Sequence, residues 1–235
     1  MIKYLWQLFK YRTLFPQKGK MSFSQTGEDL LVDFLIKILK IPKFTYLDIG
    51  AHHPVFLNNT YLFYTQGFRG VCVEPDPVLF EIFKKNRKGD QVLNFGVGSA
   101  SQKEADFYLL STASLNTFSK KDADRYVSHG KQKIEKILKI PFIGINDLIK
   151  EYFQACPTFI SLDVEGLDFD ILRSFDFQKH RPTIFCLETL TYTEDHSERK
   201  LVEIIEYMHK NNYMTWADTY INTIFVDTEK WNKRG

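Results

Sequence analysis

The residues best placed to do chemistry in this sequence are acids that end short apolar runs. Asp48 ends the run in TYLDIG, Glu74 follows GVCV, Asp163 follows TFISL and Glu188 ends TIFCLE. In an open parallel sheet, ligands bind in the crevice outside the carboxyl ends of the strands. Because acids at strand ends point into that crevice, these four carboxylates indicate one ligand site at one edge of a sheet.

The loop after Asp48 reads IGAHHP and limits the kind of ligand. Gly50 allows a sharp turn, and Ala51 leaves room for a ligand to approach. The dinucleotide fingerprint G-x-G-x-x-G does not occur, and no glycine follows Gly50 until Gly67, so the loop is poorly suited to a pyrophosphate. S-adenosylmethionine carries a sulfonium, an ammonium and a ribose but no phosphate, which matches Asp48, Gly50 and Glu74.

The turn EPDP after the second run gives Glu74 a more specific role. An acid at the end of the second strand can accept hydrogen bonds from both ribose hydroxyls of an adenosine cofactor. Asp76 then lies near the adenine side, and it also precedes Pro77 as a good N-cap for a helix. The two roles are compatible, since Asp76 can cap the helix while Glu74 binds.

The elements that must position these acids alternate along the chain. The apolar runs are typical of strands buried on both faces, and helical patterns such as DPVLFEIFKKNR and INDLIKEYF lie between several of them. This order predicts a doubly wound, mostly parallel α/β sheet with helices on both faces. A further helix is expected after Thr26, which can serve as its N-cap. One apolar face of this helix would consist of Leu30, Leu31, Phe34, Leu35, Ile38 and Leu39.

Residues 22–235 are expected to form a single domain, because 235 residues with 44% hydrophobic composition suffice for one sizeable core. Residues 99–141 break the alternation and are too long for a plain connector. They predict either an insert that shapes the acceptor site or a disordered surface loop. Residues 1–21 form a basic, amphipathic segment, expected to pack on the domain or, through residues 1–20, to lie on a membrane surface.

Composition excludes several classes of protein. The net charge of +2 gives no general affinity for nucleic acid, and no basic stripe with interleaved aromatics occurs. No apolar stretch approaches 18 residues, which argues against a transmembrane helix. Three cysteines without a CxxC pair, two of them inside apolar runs, favour buried thiols in a reducing compartment, and we expect a cytoplasmic protein.

Taken together, the segments SQTGEDLLVDFL, YLDIGAHHPVFLNNTYLFYTQGFRGVCVEPDP and ISLDVEGLDFDILRSFDF resemble the FkbM family of S-adenosylmethionine-dependent methyltransferases. The resemblance implies a Rossmann-like class I methyltransferase fold and O-methylation of a sugar, commonly a nucleotide-linked sugar or a surface-polysaccharide precursor. It also implies a set of residues that contact the cofactor, namely Gln25, Asp48, Gly50, Ala51, Glu74, Pro75, Asp76 and Asp163.

Two routes for activating the acceptor hydroxyl stay open at this point. His53 follows the cofactor loop and could act as general base, because histidine titrates near neutral pH; alternatively it stabilises the turn before Pro54. In the second route a divalent ion such as Mg²⁺ binds the hydroxyl, with Asp163, Glu165 and Glu188 as oxygen ligands. Asp163 is expected beside the transferred methyl group in either case.

The leading functional hypothesis is therefore an S-adenosylmethionine-dependent O-methyltransferase acting on a sugar hydroxyl. The alternative from another class is a non-catalytic module that binds a nucleotide or sugar and docks on a membrane or on partner enzymes. A nicotinamide-dependent reductase is disfavoured by the missing second glycine of the phosphate loop. The sequence leaves the sugar, the hydroxyl and the oligomeric state undetermined.

Overall fold

The computed structural model describes residues 19–98, 103–129, 132–164, 166–191 and 197–234. Its strands are β1 Thr45–Ile49, β2 Arg69–Val73, β3 Gln91–Leu93, β4 Gly96–Gly98, β5 Glu104–Leu110, β6 Ile134–Gly144, β7 Phe159–Leu162, β8 Ile184–Glu188, β9 Tyr213–Asp218 and β10 Asn222–Asp227. Seven of them form one sheet in the order β3-β2-β1-β7-β8-β10-β9. The first five are mutually parallel, whereas β10 is antiparallel to both β8 and β9.

Helices cover both faces of this sheet. They are α1 Glu28–Ile38, α2 Tyr61–Thr65, α3 Pro77–Asn86, α4 Lys120–His129, α5 Ile145–Tyr152, α6 Asp168–Ser174, α7 Val202–Lys210 and α8 Thr228–Asn232. One apolar cluster joins Leu47 and Ile160 of the sheet to Leu148 of α5. A second cluster on the other face joins Tyr46 to Val32 of α1 and Phe83 of α3. The predicted doubly wound architecture is therefore confirmed.

Helix α1 differs from the prediction in its cap and in its buried face. It begins at Glu28 after Gly27, which has a φ of 97° and provides no side-chain cap. Phe34 is 51% exposed, while Val32 and Leu35 are fully buried. The face is rotated because acids of the helix are buried too: Asp29 accepts hydrogen bonds from the preceding segment, including the backbone N–H of Phe23 at 2.7 Å.

Helix α3 begins as its sequence predicts. Asp76 is the N-cap residue, and its side chain accepts hydrogen bonds from the backbone N–H groups of Val78 at 2.8 Å and Leu79 at 3.3 Å. Pro77 occupies the first turn, where its missing N–H costs nothing. This cap fixes where the chain leaves β2 and hence where Glu74 stands.

The segment that interrupts the alternation is folded over much of its length. Strand β3 belongs to the main sheet, but β4 leaves it and pairs with β6, so the third apolar run is divided between two sheets. The smaller sheet has the order β4-β6-β5, with β5 antiparallel to β6. Helix α4, which the sequence analysis did not predict, buries Ala123 and Tyr126.

Two further expectations concern the membrane and the cysteines. In the part of the chain that the structure describes, no helix is long and apolar enough to cross a bilayer. The basic segment predicted at the N-terminus lies, up to residue 18, outside the described residues. All three cysteines are free thiols, and Cys72 and Cys186 are buried.

Candidate active site

A cavity of about 390 Å³ opens at the carboxyl ends of the parallel strands. The ends of β1, β2, β7 and β8, the loops that follow them and the segment between β3 and α4 all contribute to its wall. Its polar lining residues include Gln25, Gly50, His52, Glu74, Asn116, Asp163, Glu188 and Glu198, and its apolar lining residues include Leu57, Pro75, Phe95, Phe107, Phe118 and Leu190. Its position is the switch point of the sheet, where a doubly wound fold binds its ligand.

Gly50 lies in this wall where the ends of β1 and β7 come close together. Strand β1 lies between β2 and β7, and the N–H groups of Gly50 and Ala51 both donate to the carbonyl of Val73 at 3.1 Å. Gly50 has a φ of +77°, and a Cβ atom there would lie 1.8 Å from the carbonyl oxygen of Asp163. Only glycine fits, because any side chain would collide with backbone that cannot move aside.

Glu74 stands at the end of β2 with 4% of its surface exposed. One carboxylate oxygen accepts the N–H of His52 at 2.7 Å, and the other accepts the N–H of Asp76 at 2.8 Å. Each oxygen can still accept another hydrogen bond, so two donors such as vicinal hydroxyls can be bound. Burial raises the pKa of Glu74 to about 8, against the effect of the two backbone hydrogen bonds.

Asp163 and Glu188, at the ends of β7 and β8, form the opposite wall. Their side chains are hydrogen-bonded to each other. Burial raises the pKa of Asp163 to about 7, and the neighbouring charges of Asp168 and Asp48 add to the increase while the bond to Glu188 opposes it. Two carboxyl groups in contact favour a shared proton, because two buried charges of the same sign repel each other.

The electrostatic character of the cavity follows from these residues. Four carboxylates line it, from Glu74, Asp163, Glu188 and Glu198, whereas no lysine or arginine occurs among the described lining residues. Glu198 is also bound by the hydroxyl of Tyr220 at 3.0 Å. Such a wall suits a ligand with positive charge and hydroxyl groups, and it disfavours phosphate.

Asp48 does not line this cavity, contrary to its predicted role as a cofactor contact. Side chains alternate along a strand, so Asp48 shares with Tyr46 the face covered by α1 to α3. Its carboxylate accepts hydrogen bonds from the Thr60 hydroxyl at 2.7 Å and the Asn58 amide at 3.3 Å. The acid before the turn is therefore part of a buried polar network beneath the loop.

Arg87 supplies the positive charge of that network. It is fully buried and forms an ion pair of 2.7 Å with Asp90, which is also fully buried. Its guanidinium donates to the carbonyl of Pro54 at 3.1 Å and to the hydroxyls of Tyr46 and Thr60, each at 3.1 Å. Because its side chain is fully buried and does not line the cavity, Arg87 is a structural group.

Two further predicted cofactor contacts do not reach the cavity wall, while two others do. Ala51 is 3% exposed and contributes its backbone N–H to the turn. The carboxylate of Asp76 is used as the helix cap and as acceptor for the Asn116 amide at 3.1 Å, which ties the smaller sheet to the site. Gln25 and Pro75, in contrast, line the cavity as expected.

The two adjacent histidines have different surroundings. The Nδ1 atom of His53 accepts the backbone N–H groups of Val55 at 3.2 Å and Phe56 at 2.9 Å, and this residue does not line the cavity. That geometry favours the turn-stabilising role over the predicted role of general base. His52, which has a φ of +51°, lines the cavity instead. The residue types alone did not distinguish the two neighbours.

The predicted metal ligands are only partly brought together. Asp163 and Glu188 face the same cavity, while Glu165 lies outside the described residues. Among the side chains that the structure describes, no group of three or more histidine, cysteine or acidic residues is arranged to hold a metal ion. The described ligand set thus gives no support to the Mg²⁺ route.

Several lining residues come from distant parts of the chain and were not predicted from the sequence, namely Phe107, Asn116, Phe118, Glu198 and Tyr220. None of them belongs to a pattern with a chemical signature. The length of the interrupting segment was the only signal, since a long insertion in a compact domain is commonly functional.

The order of the main sheet, with antiparallel β10 between β8 and β9, defines a Rossmann-like class I methyltransferase fold. The family model described as the methyltransferase FkbM domain matches residues 48–214. The chain therefore belongs to the FkbM family of S-adenosylmethionine-dependent methyltransferases. No curated protein sequence matches it.

The solved structures that this chain matches are distant from it in sequence. CalS10, an amino pentose methyltransferase of Micromonospora echinaspora, is 8% identical with a TM-score of 0.44, covering 96% of this chain and 97% of its own. A TehB-like S-adenosylmethionine-dependent methyltransferase of Corynebacterium glutamicum is 10% identical with a TM-score of 0.41, covering 94% of this chain and 96% of its own.

Proposed function

We propose that the protein transfers a methyl group from S-adenosylmethionine to a hydroxyl group of a sugar. The observation that carries the proposal is the charge of the cavity at the switch point. Carboxylates from β2, β7 and β8 face it, and no lysine or arginine occurs among its described lining residues. A phosphate-free, positively charged adenosyl ligand suits such a wall, whereas a dinucleotide does not.

Glu74 would hold the ribose of the cofactor, because its two oxygens can each accept a hydroxyl donor in addition to their backbone partners. Gly50 and Gln25 would border the rest of the molecule, since both line the cavity. When bound, the cofactor supplies an electrophilic methyl group on its sulfonium. The protein excludes water and aligns the acceptor for in-line attack.

Asp163 is proposed to accept the proton of the acceptor hydroxyl. It lies at the end of β7, beside the strand that carries the cofactor loop, and its pKa of about 7 suits a base near neutral pH. Glu188 orients it through their hydrogen bond. This assignment replaces His53, whose Nδ1 is already bound by two backbone N–H groups.

The acceptor would enter from the side of β8 and of the smaller sheet. Phe107 and Phe118 offer aromatic surface, and Glu198 and Tyr220 offer hydrogen-bonding groups at the far side of the cavity. Residues 99–141 would then shape the acceptor site. A nucleotide-linked acceptor would have to keep its diphosphate outside the described wall, because that wall provides no cation to bind it.

A panel of free sugars, amino sugars and nucleotide-linked sugars, incubated with S-adenosylmethionine, tests the proposal. Mass spectrometry should find one acceptor that gains the mass of a single CH₂ unit, and the Asp163→Asn variant should abolish that gain. The non-catalytic module predicts a different result, in which S-adenosylhomocysteine binds but no sugar is modified. Failure to bind S-adenosylhomocysteine in calorimetry would reject both possibilities that use this cofactor.

A further inference from the structure

The acidic cavity leaves one end of the cofactor without an obvious partner. S-adenosylmethionine carries an α-carboxylate in addition to its two positive groups. The four acidic side chains of the wall offer it no positive charge, and among the described lining residues there is neither lysine nor arginine. His52 is the one described lining side chain that can become positively charged.

The backbone places His52 in the cavity wall, next to the acid proposed to hold the ribose. The residue has a φ of +51°, in the left-handed region, and its N–H is held by Glu74 at 2.7 Å. It therefore sits in the β1 loop, between the ribose-binding acid of β2 and Asp163 of β7. Within the described part of the chain, its imidazole ring makes no hydrogen bond, so both ring nitrogens are available to a ligand.

We propose that the His52 side chain binds the α-carboxylate of the cofactor. The inference rests on the proposed function, because it assumes that the cavity holds S-adenosylmethionine. It also accounts for a difference from glycine-richer cofactor loops. In those loops small residues would leave backbone N–H groups exposed to the ligand, whereas here Ala51 and His52 follow Gly50.

Protonation of the ring should accompany binding. Burial lowers the pKa of His52 and the neighbouring His53 lowers it further, while Asp76 at the start of α3 raises it. Glu74 at the end of β2 is the other acid close to the residue. An arriving carboxylate favours the charged imidazolium, so the protein should take up a proton as the ligand binds.

The test compares S-adenosylhomocysteine with its decarboxylated analogue, which keeps the amino group. By calorimetry, the wild-type protein should bind S-adenosylhomocysteine about 10-fold or more tightly than the analogue, the effect of one charged hydrogen bond. The His52→Ala variant should bind the two ligands within about twofold of each other. His53→Ala is the matched control, because that residue does not line the cavity, and it should keep the wild-type preference.

Proton uptake gives a second measurement. Calorimetry in buffers of different ionisation enthalpy should show uptake near neutral pH for the wild type with S-adenosylhomocysteine, and little with the analogue. His52→Gln, which keeps a hydrogen-bond donor, should lose the uptake. Should His52→Ala fail to fold, as judged by circular dichroism, His52→Gln decides the question through the same two readouts.

Three outcomes separate the hypotheses. Equal weakening of both ligands by His52→Ala would show that His52 only supports the loop, and would overturn the inference. An unchanged preference in that variant would also overturn it, and would point to the neutral amide of Gln25. If the wild-type protein binds neither ligand, the proposed function fails rather than this assignment.

Discussion

Two groups of buried acids occur near β1, and they differ in their partners. In the first group, Asp48 and Asp90 are close to the guanidinium of Arg87, which offsets part of their negative charge. In the second group, Glu74 and Asp163 face the cavity with no lysine or arginine among its described lining residues. Residue type alone does not separate the two groups, but their partners do.

The difference in partners corresponds to a difference in role. A buried carboxylate that has a buried cation and hydroxyl donors is already compensated, so it holds the fold together. Burial raises the pKa of Asp48 as well, but Thr60 and Arg87 oppose that increase. Glu74 and Asp163, with no lysine or arginine in the described wall beside them, have pKa values raised to about 8 and about 7. Such groups are retained where a ligand provides the compensation, which is why they mark the site.

The largest expected effect is on turnover, and it comes from the acids that face the cavity. Asp163→Asn keeps the size of the side chain but removes the base, so the rate of methyl transfer should fall by about 10²–10⁴-fold. Affinity for S-adenosylhomocysteine should change little, which calorimetry can check. Wild-type turnover that survives dialysis against EDTA is expected as well, and its loss with recovery on added Mg²⁺ would favour the metal route.

The largest expected effect on folding comes from the group of acids that contacts Arg87. Arg87→Leu leaves the fully buried Asp90 without its ion-pair partner, so the free energy of unfolding should decrease by about 3–5 kcal/mol. Urea denaturation measures the change. The exposed pair between Lys84 and Glu81 is the matched control, since Lys84→Ala should cost less than about 1 kcal/mol. Equal effects of the two variants would contradict the comparison.

Glu74 and Asp48, at the ends of the neighbouring strands β2 and β1, should differ in what their substitution affects, ligand binding or stability. Glu74→Ala should weaken S-adenosylhomocysteine binding by about 1.5–3 kcal/mol, through loss of charged hydrogen bonds, with a smaller effect on stability. Asp48→Asn should lower stability and leave that affinity nearly unchanged, because Asp48 does not line the cavity. Calorimetry and urea titration of both variants provide the test, and unchanged affinity in Glu74→Ala would remove the ribose assignment.

The last expected effect is a dependence of stability on pH. The pKa of Glu74 is about 8 in the folded protein and ordinarily 4.5. Between these two pH values the native state therefore holds a proton that the unfolded state has released. The contribution of this proton to the free energy of unfolding is complete below about pH 4.5 and is lost as pH rises through about 8. The slope is at most about 1.4 kcal/mol per pH unit. Glu74→Gln should show a flatter profile of unfolding free energy, and parallel profiles would contradict the raised pKa.

Much of the fold was predictable because its signals are local. The runs that became β1, β2, β7 and β8 are continuous apolar stretches, and Asp76 before Pro77 predicted the start of α3 correctly. The face of α1 was wrong, because Phe34 is exposed while acids of the helix are buried by contacts with the preceding segment. Apolar periodicity does not report such contacts.

The candidate site was predicted in position but only partly in composition. Glu74, Asp163 and Gln25 line the cavity as expected, whereas Asp48 and His53 do not. The strand places Asp48 on its other face, under the helices, where Thr60 and Asn58 bind it. Both donors follow it in the sequence, but nothing in their order indicates that they fold back onto it.

By itself, the sequence determined that apolar runs form a parallel sheet with acids at its carboxyl edge, because burial of apolar residues and strand-end placement are set by patterns of neighbouring residues. The tertiary structure decided which acids serve a ligand. That choice depends on whether a cation such as Arg87 reaches the same buried volume, and on the left-handed backbone that turns His52 toward the cavity. Charge compensation in a low-dielectric interior acts over a few ångströms in space, so it is fixed only when distant segments meet.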